Sequence, residues 1–229
     1  MSVRVAVFAS GGGTNLQALL DAFNSGDEAP ARIALVISDR ADAGALERAR
    51  TAGVPAELLR VGGRSAEDHA EAMLGLLTDH AIGLVALAGY LRLVPGAVVQ
   101  RYHGRIVNIH PALLPAFGGA GMYGERVHEA VLASGARVSG ATVHFVDERY
   151  DEGAIIAQWP VPVLPRDNAA SLGARVLAVE HRLYPLVIAA LALGSHPASV
   201  LEGAAFHLDD DLAPGASELL HLIRIPESD

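Results

Sequence analysis

The sequence contains no cysteine. That excludes a disulfide framework, a thiolate nucleophile and any cysteine-based zinc site. Lysine is missing as well, so all 17 side chains in the Lys+Arg count are arginines. No Schiff-base lysine and no phosphate-loop lysine is available. Positive charge is also scarce overall: the formal net charge is −9, the wrong sign for a general nucleic-acid surface. No apolar run reaches the length of a membrane span. The opening "MSVRVAVFAS" is too short for a signal peptide and runs directly into a glycine-rich turn. A cytoplasmic protein without a membrane or nucleic-acid partner is the expectation.

Half of the 229 residues are apolar, enough for one large α/β core. Short apolar runs alternate with helical patterns along the first half. Strands are expected at residues 3–9, 32–37, 56–61, 83–88 and 105–109, and helices at 15–24, 43–51 and 66–79. Such alternation gives βαβ units and a parallel sheet covered on both faces, a doubly wound α/β fold. Residues 139–147 and 154–164 then read as an antiparallel pair added to the sheet, and residues 169–193 as a long helix. The expected organisation is one domain, residues 1–194, with a carboxyl-terminal extension, residues 195–229, packed on it as a short hairpin or edge strand.

Three stretches stand out chemically. In "GRIVNIHPALLP", Asn108 and His110 sit two apart in a strand pattern, so they share a face. Pro111 ends the strand there, and ligands of open parallel sheets bind at that carboxyl end. A satisfied polar pair is the bland alternative. In "FASGGGTNLQALL" a strand runs into three glycines and a helix start, an arrangement that favours a bound anion such as phosphate. The alternative is a tight turn with Thr14 as N-cap. In "TVHFVDERYDEGAIIAQ", His144 shares a face with Thr142, and four carboxylates crowd the next loop. Most acidic loops are merely solvated, yet one carboxylate beside His110 would orient its imidazole and favour the charged form. Ten histidines are present, but no HExxH or paired His-x-His spacing occurs, and no metal is expected.

The segments "SGGGTNLQAL", "LAGYLRLV", "NIHPALLPAF", "TVHFVDERYDEGAIIAQ" and "EHRLYPLVI" stand in the order found in phosphoribosylglycinamide formyltransferases. The chain resembles that family over residues 3–190. "NIHPALLP" is shared by the wider folate-dependent formyltransferase superfamily, whereas "SGGGTNLQ" is similar to the ribonucleotide loop. The resemblance implies a mostly parallel, Rossmann-like formyltransferase fold with antiparallel strands added late. It implies formyl transfer from 10-formyltetrahydrofolate, a co-substrate, to the amine of glycinamide ribonucleotide in purine synthesis, by a monomer or homodimer without metal.

By position, the resemblance puts Asn108, His110 and Asp151 on the catalytic trio. Gly13, Thr14 and Asn15 fall on the phosphate-holding loop, and Glu180 on the ribose-contacting carboxylate. Leu91, Arg92, Leu93 and Val94, with Asn108, fall on the folate-contacting positions, and Arg64 on a basic folate-contacting position. Asn108 and a protonated His110 would then stabilise the oxyanion, assisted by Asp151. The chain departs from the pattern at Leu177, where some members carry Gln or Lys. It departs also at Thr14, commonly Ser, and in the glycine-rich segment after Pro115.

Overall fold

The computed structural model describes residues 2–26 and 28–194. Among these residues seven strands, β1 (Val3–Phe8), β2 (Ala31–Ser38), β3 (Ala56–Leu58), β4 (Leu84–Leu87), β5 (Ile106–His110), β6 (Val138–Phe145) and β7 (Ile155–Pro162), form one sheet in the order β3-β2-β1-β4-β5-β6-β7. The first five are mutually parallel; β6 pairs antiparallel with β5, and β7 with β6. Pro160 and Pro162 lie in β7, at the sheet edge, where a missing N–H removes no ladder bond on the open side.

Among the described residues six helices cover the sheet: α1 (Thr14–Phe23), α2 (Gly44–Thr51), α3 (Ala66–Asp79), α4 (Gly96–Arg101), α5 (Glu125–Ser134) and α6 (Ala169–Ala192). Leu16 and Leu19 of α1, Leu46 of α2, Val131 of α5 and Val176 and Leu183 of α6 share one core with Val7, Val36 and Val143. On the opposite face Met73 and Leu77 of α3 and Val98 of α4 pack on Phe8, Leu35 and Val85. The central parallel strands β1, β2 and β4 are thus buried on both sides over most of their length, which is why they read as near-continuous apolar runs rather than alternating ones.

The expected elements occur, most with ends shifted by one or two residues; three differences are larger or touch the site. β3 stops at Leu58 rather than at 61, and β5 runs to His110, so the imidazole is the last strand residue and not the first loop residue. α4 and α5 were not expected. α4 has only six residues, too few to show a period. α5 follows the glycine-rich stretch 118–124, which masks its start. The division at 194/195 and the hairpin or strand expected beyond it lie outside the described residues.

The strand order reverses between β1 and β4. Connections from β1 lead one way, to β2 and β3, and those from β4 the other way. The loops after these two strands diverge and leave a crevice at their carboxyl ends, the place where open α/β sheets bind ligands.

Candidate active site

A crevice of about 730 Å³ opens at that point. Ser10 and Gly11 line it from the β1–α1 turn, Asn15 from the first turn of α1, Gly89 to Val94 from the loop after β4, Asn108 and His110 from β5, and Asp151 from the β6–β7 loop. Ala170, Gly173, Leu177 and Glu180 complete one wall, spaced at the three- and four-residue intervals that share a helix face.

The register of β5 and β6 assembles the polar centre. Asn108 lies directly opposite His144, and His110 opposite Thr142. Opposed residues on one face stand close enough to bond. His144 Nδ1 donates to the Phe145 carbonyl at 2.8 Å, which leaves Nε2 to accept from the Asn108 amide at 3.0 Å. Asp151 completes the group. Its Oδ2 accepts from the Gly119 N–H at 2.9 Å and lies 3.5 Å from His110 Nδ1; its Oδ1 is 3.5 Å from Asn108 Nδ2 and 3.6 Å from His144 Nε2. His110 Nε2 donates to the Phe117 carbonyl at 2.8 Å.

Burial sets the charge states. Despite its own desolvation, Asp151 is held below the usual carboxylate range by the adjoining His144 imidazole, by the nearby His110 and by the Gly119 N–H. For His110 desolvation is the largest effect and lowers its pKa below 6.5; the nearby Asp151 and the Phe117 carbonyl raise it only in part, and His144 lowers it. The expected protonated His110 is therefore not the majority form at neutral pH in the ligand-free crevice. The imidazole is 3% exposed, and removing a cation from water outweighs one carboxylate at 3.5 Å.

The glycine loop works differently at each position. Gly13, not Thr14, is the N-cap of α1: it has left-handed backbone, φ 75°, and Thr14 is the first helical residue, with no side-chain cap bond. A Cβ on Gly13 would lie 2.7 Å from the Ala45 Cα, whereas Gly11 and Gly12 have open space around them. Gly11 and Asn15 face the crevice, while Thr14 faces a separate shallow groove between α1 and α6 with Gln17, Arg48 and His181. Asn15 reaches across to α6, donating from Nδ2 to Glu180 at 2.6 Å. Glu180 is almost wholly buried, and desolvation pushes its carboxyl up to about 7.

Leu91, Arg92, Leu93 and Val94 all line the crevice, as does Leu177. Arg64 does not. It lies in another shallow groove with Leu58, Arg60, Gly62 and Gly63, after β3. The β3–α3 loop lies two strands from the strand-order reversal, and sequence position does not reveal that offset. His144, Tyr90, His128 and Tyr123 also line the crevice without having been assigned a site role. For His144 the signal was present, a histidine on the same strand face as Thr142. For the others no local pattern marks them.

Comparison with known proteins gives the chain its relatives. A family model described as formyl transferase matches residues 3–188. The chloroplastic phosphoribosylglycinamide formyltransferase of Arabidopsis thaliana is 43% identical over 190 residues, 82% of this chain but 65% of the relative, so the chain spans just under two thirds of that plant protein. The phosphoribosylglycinamide formyltransferase of Haemophilus influenzae is 42% identical over 186 residues, 81% of this chain and 85% of the relative. Among solved structures, glycinamide ribonucleotide transformylase 1 of Symbiobacterium toebii superposes with a TM-score of 0.78 at 47% identity, covering 84% of this chain and 89% of that one. A seven-stranded sheet that places Asn108, His110 and Asp151 beside a glycine-rich loop, together with these likenesses, leads to one conclusion: the chain belongs to the formyl transferase family, among its phosphoribosylglycinamide formyltransferases.

Proposed function

We propose that the crevice holds 10-formyltetrahydrofolate and glycinamide ribonucleotide together and transfers the formyl group directly to the ribonucleotide amine. The observation that carries this reading is the presence of the Asn108–His110–Asp151 group in one crevice whose lining has two differently built parts. One part is the open Gly11 turn, Asn15 and Glu180, polar and suited to a sugar phosphate. The other is the loop of residues 91–94, with exposed Leu91 and Leu93, suited to a flat heterocycle.

In this reaction the amine nitrogen bonds to the formyl carbon, and the bond from that carbon to the folate nitrogen breaks. One proton leaves the amine and one reaches the folate nitrogen. No enzyme-bound intermediate is required, which suits a chain without cysteine or lysine. The tetrahedral oxyanion needs donors fixed in advance, each worth about 3–4 kcal/mol. The Asn108 amide is one, held by His144. His110 is the other, and it starts neutral. As negative charge grows beside it the ring takes up a proton from water at Nδ1, the nitrogen that faces Asp151 at 3.5 Å; the carboxylate stabilises the cation, and the proton returns to water when the oxyanion collapses. Its Nε2 proton is held by Phe117 in the free protein, so His110 must exchange that carbonyl for the oxyanion. Asp151, through water, moves the proton between amine and folate. Holding both substrates in one crevice supplies much of the remaining acceleration.

The test is folate turnover measured with and without glycinamide ribonucleotide. Turnover that requires the ribonucleotide, with formyl product in equal amount, is the expected result. Turnover to formate without it would indicate a hydrolase, and binding of a sugar phosphate without turnover would indicate a binding protein.

A further inference from the structure

The loop that follows β4 is fastened from beneath by a group that does not itself reach the crevice. Asp39 closes the turn after β2, and its side chain is only 5% exposed. Oδ1 accepts from Ser10 Oγ at 2.6 Å, and Oδ2 from Arg92 Nε at 3.2 Å. The same Ser10 Oγ accepts from the Leu91 N–H at 3.0 Å, and the Ser10 N–H donates to the Gly89 carbonyl at 3.0 Å. Three loops, after β1, β2 and β4, are thereby tied at one buried carboxylate. The tie fixes a short segment in which Leu91 is 37% and Leu93 47% exposed.

We infer that Asp39 is a positioning residue for the folate end of the crevice, setting through Ser10 and Arg92 the backbone that residues 91–94 present to a flat heterocycle. The inference rests on the proposed folate reading of that end. A backbone that binds through its own N–H and C=O groups must be held in one conformation beforehand, because ordering it on binding weakens affinity. Ser10 engages the Leu91 N–H, so that donor is spent on rigidity. The neighbouring backbone groups remain for the ligand. Phe8 reinforces the arrangement, stacking edge-on against Tyr90 with ring centroids 5.5 Å apart.

Asp39→Asn keeps the shape and the acceptor for Ser10 but turns an amide N–H towards Arg92. Ser10→Ala removes the acceptor of the Leu91 N–H. Two measurements test the idea: equilibrium binding of 10-formyl-5,8-dideazafolate and, separately, of glycinamide ribonucleotide; and amide hydrogen exchange at Leu91. For Asp39→Asn the folate analogue should bind about tenfold more weakly, the loss of one charge-assisted bond's worth of preorganisation, with ribonucleotide affinity within about twofold and kcat within about threefold. For Ser10→Ala the Leu91 amide should exchange at least about tenfold faster. Unchanged analogue binding in a folded Asp39→Asn protein, or equal losses for both ligands, would overturn the positioning role. Failure of the unaltered protein to bind the analogue at all would instead overturn the folate reading itself.

Discussion

Asp151 carries its carboxylate on left-handed backbone, φ 57°, and Phe117, whose carbonyl holds the other side of His110, has φ 58°. Non-glycine residues rarely adopt this conformation, and it concentrates where side chains must be aimed. Asp and Asn tolerate it best, so Asp151→Asn should keep the loop while removing the charge. Asp151 raises the His110 pKa against the larger effect of burial; without it the pKa should fall further below 6.5. Turnover should drop by about two orders of magnitude or more, the usual scale for a general acid–base group, with both substrate affinities much less changed. Steady-state kinetics and an NMR titration of His110 in both proteins check this. A His110 pKa that stays put would transfer the role to another carboxylate of the 147–152 loop.

At the scale of elements, the β1–α1 turn divides its glycines between folding and binding. Gly13 combines positive φ with a close approach to Ala45 of α2. Gly13→Ala should therefore cost about 2–4 kcal/mol in a urea unfolding curve, from backbone strain plus overpacking. Gly11 faces open crevice. Gly11→Val should fold normally and raise the ribonucleotide Michaelis constant about tenfold or more, sparing folate. Equal losses for both substrates with Gly11→Val would remove the phosphate from this turn. On the facing wall α6 is fixed to the sheet one turn beyond Glu180, where the buried Tyr184 hydroxyl donates towards the Leu87 and Val107 carbonyls at 2.9 and 3.1 Å. The helix therefore presents Glu180 and Leu177 at a set depth.

For the whole molecule, buried titratable groups make stability depend on pH in two opposing ways. His69, His110, His128 and His181 all have pKa values lowered chiefly by burial. The unfolded chain binds those protons more tightly, so their contribution is present above pH 6.5 and is lost as pH falls below it. Glu180 acts with the opposite sign. Its folded pKa of about 7 exceeds the ordinary 4.5, so stability declines as pH rises from about 4.5 through 7, by on the order of 3 kcal/mol. Glu180→Gln should thus be more stable than the parent at pH 8 and should lose stability more steeply between pH 7 and 5. Thermal unfolding at pH 5, 7 and 8 measures both. A variant whose pH profile parallels the parent's would mean that Glu180 is not the buried acid. Activity should also survive dialysis against a strong chelator, because every stabilising donor proposed is a protein group. Activity lost on chelation and restored by a divalent ion would overturn that assignment.

The sequence by itself determined the alternation of strands and helices, the doubly wound class and the polar pair at the end of β5. These are local properties, set by periodicity, by Pro111 after His110 and by the glycine triplet after β1. It also marked the 147–152 loop as a source of carboxylates and Glu180 through a family likeness. Only the tertiary structure decided which groups meet. The antiparallel register of β6 on β5 sets His144 opposite Asn108, a pairing between positions 36 residues apart that no local pattern encodes. The strand order gathers the loops after β1, β2 and β4 around Asp39 and leaves Arg64 at a different groove. Burial then settles charge: a motif names a histidine beside a carboxylate, but whether that ring is cationic depends on how much water the surrounding fold removes.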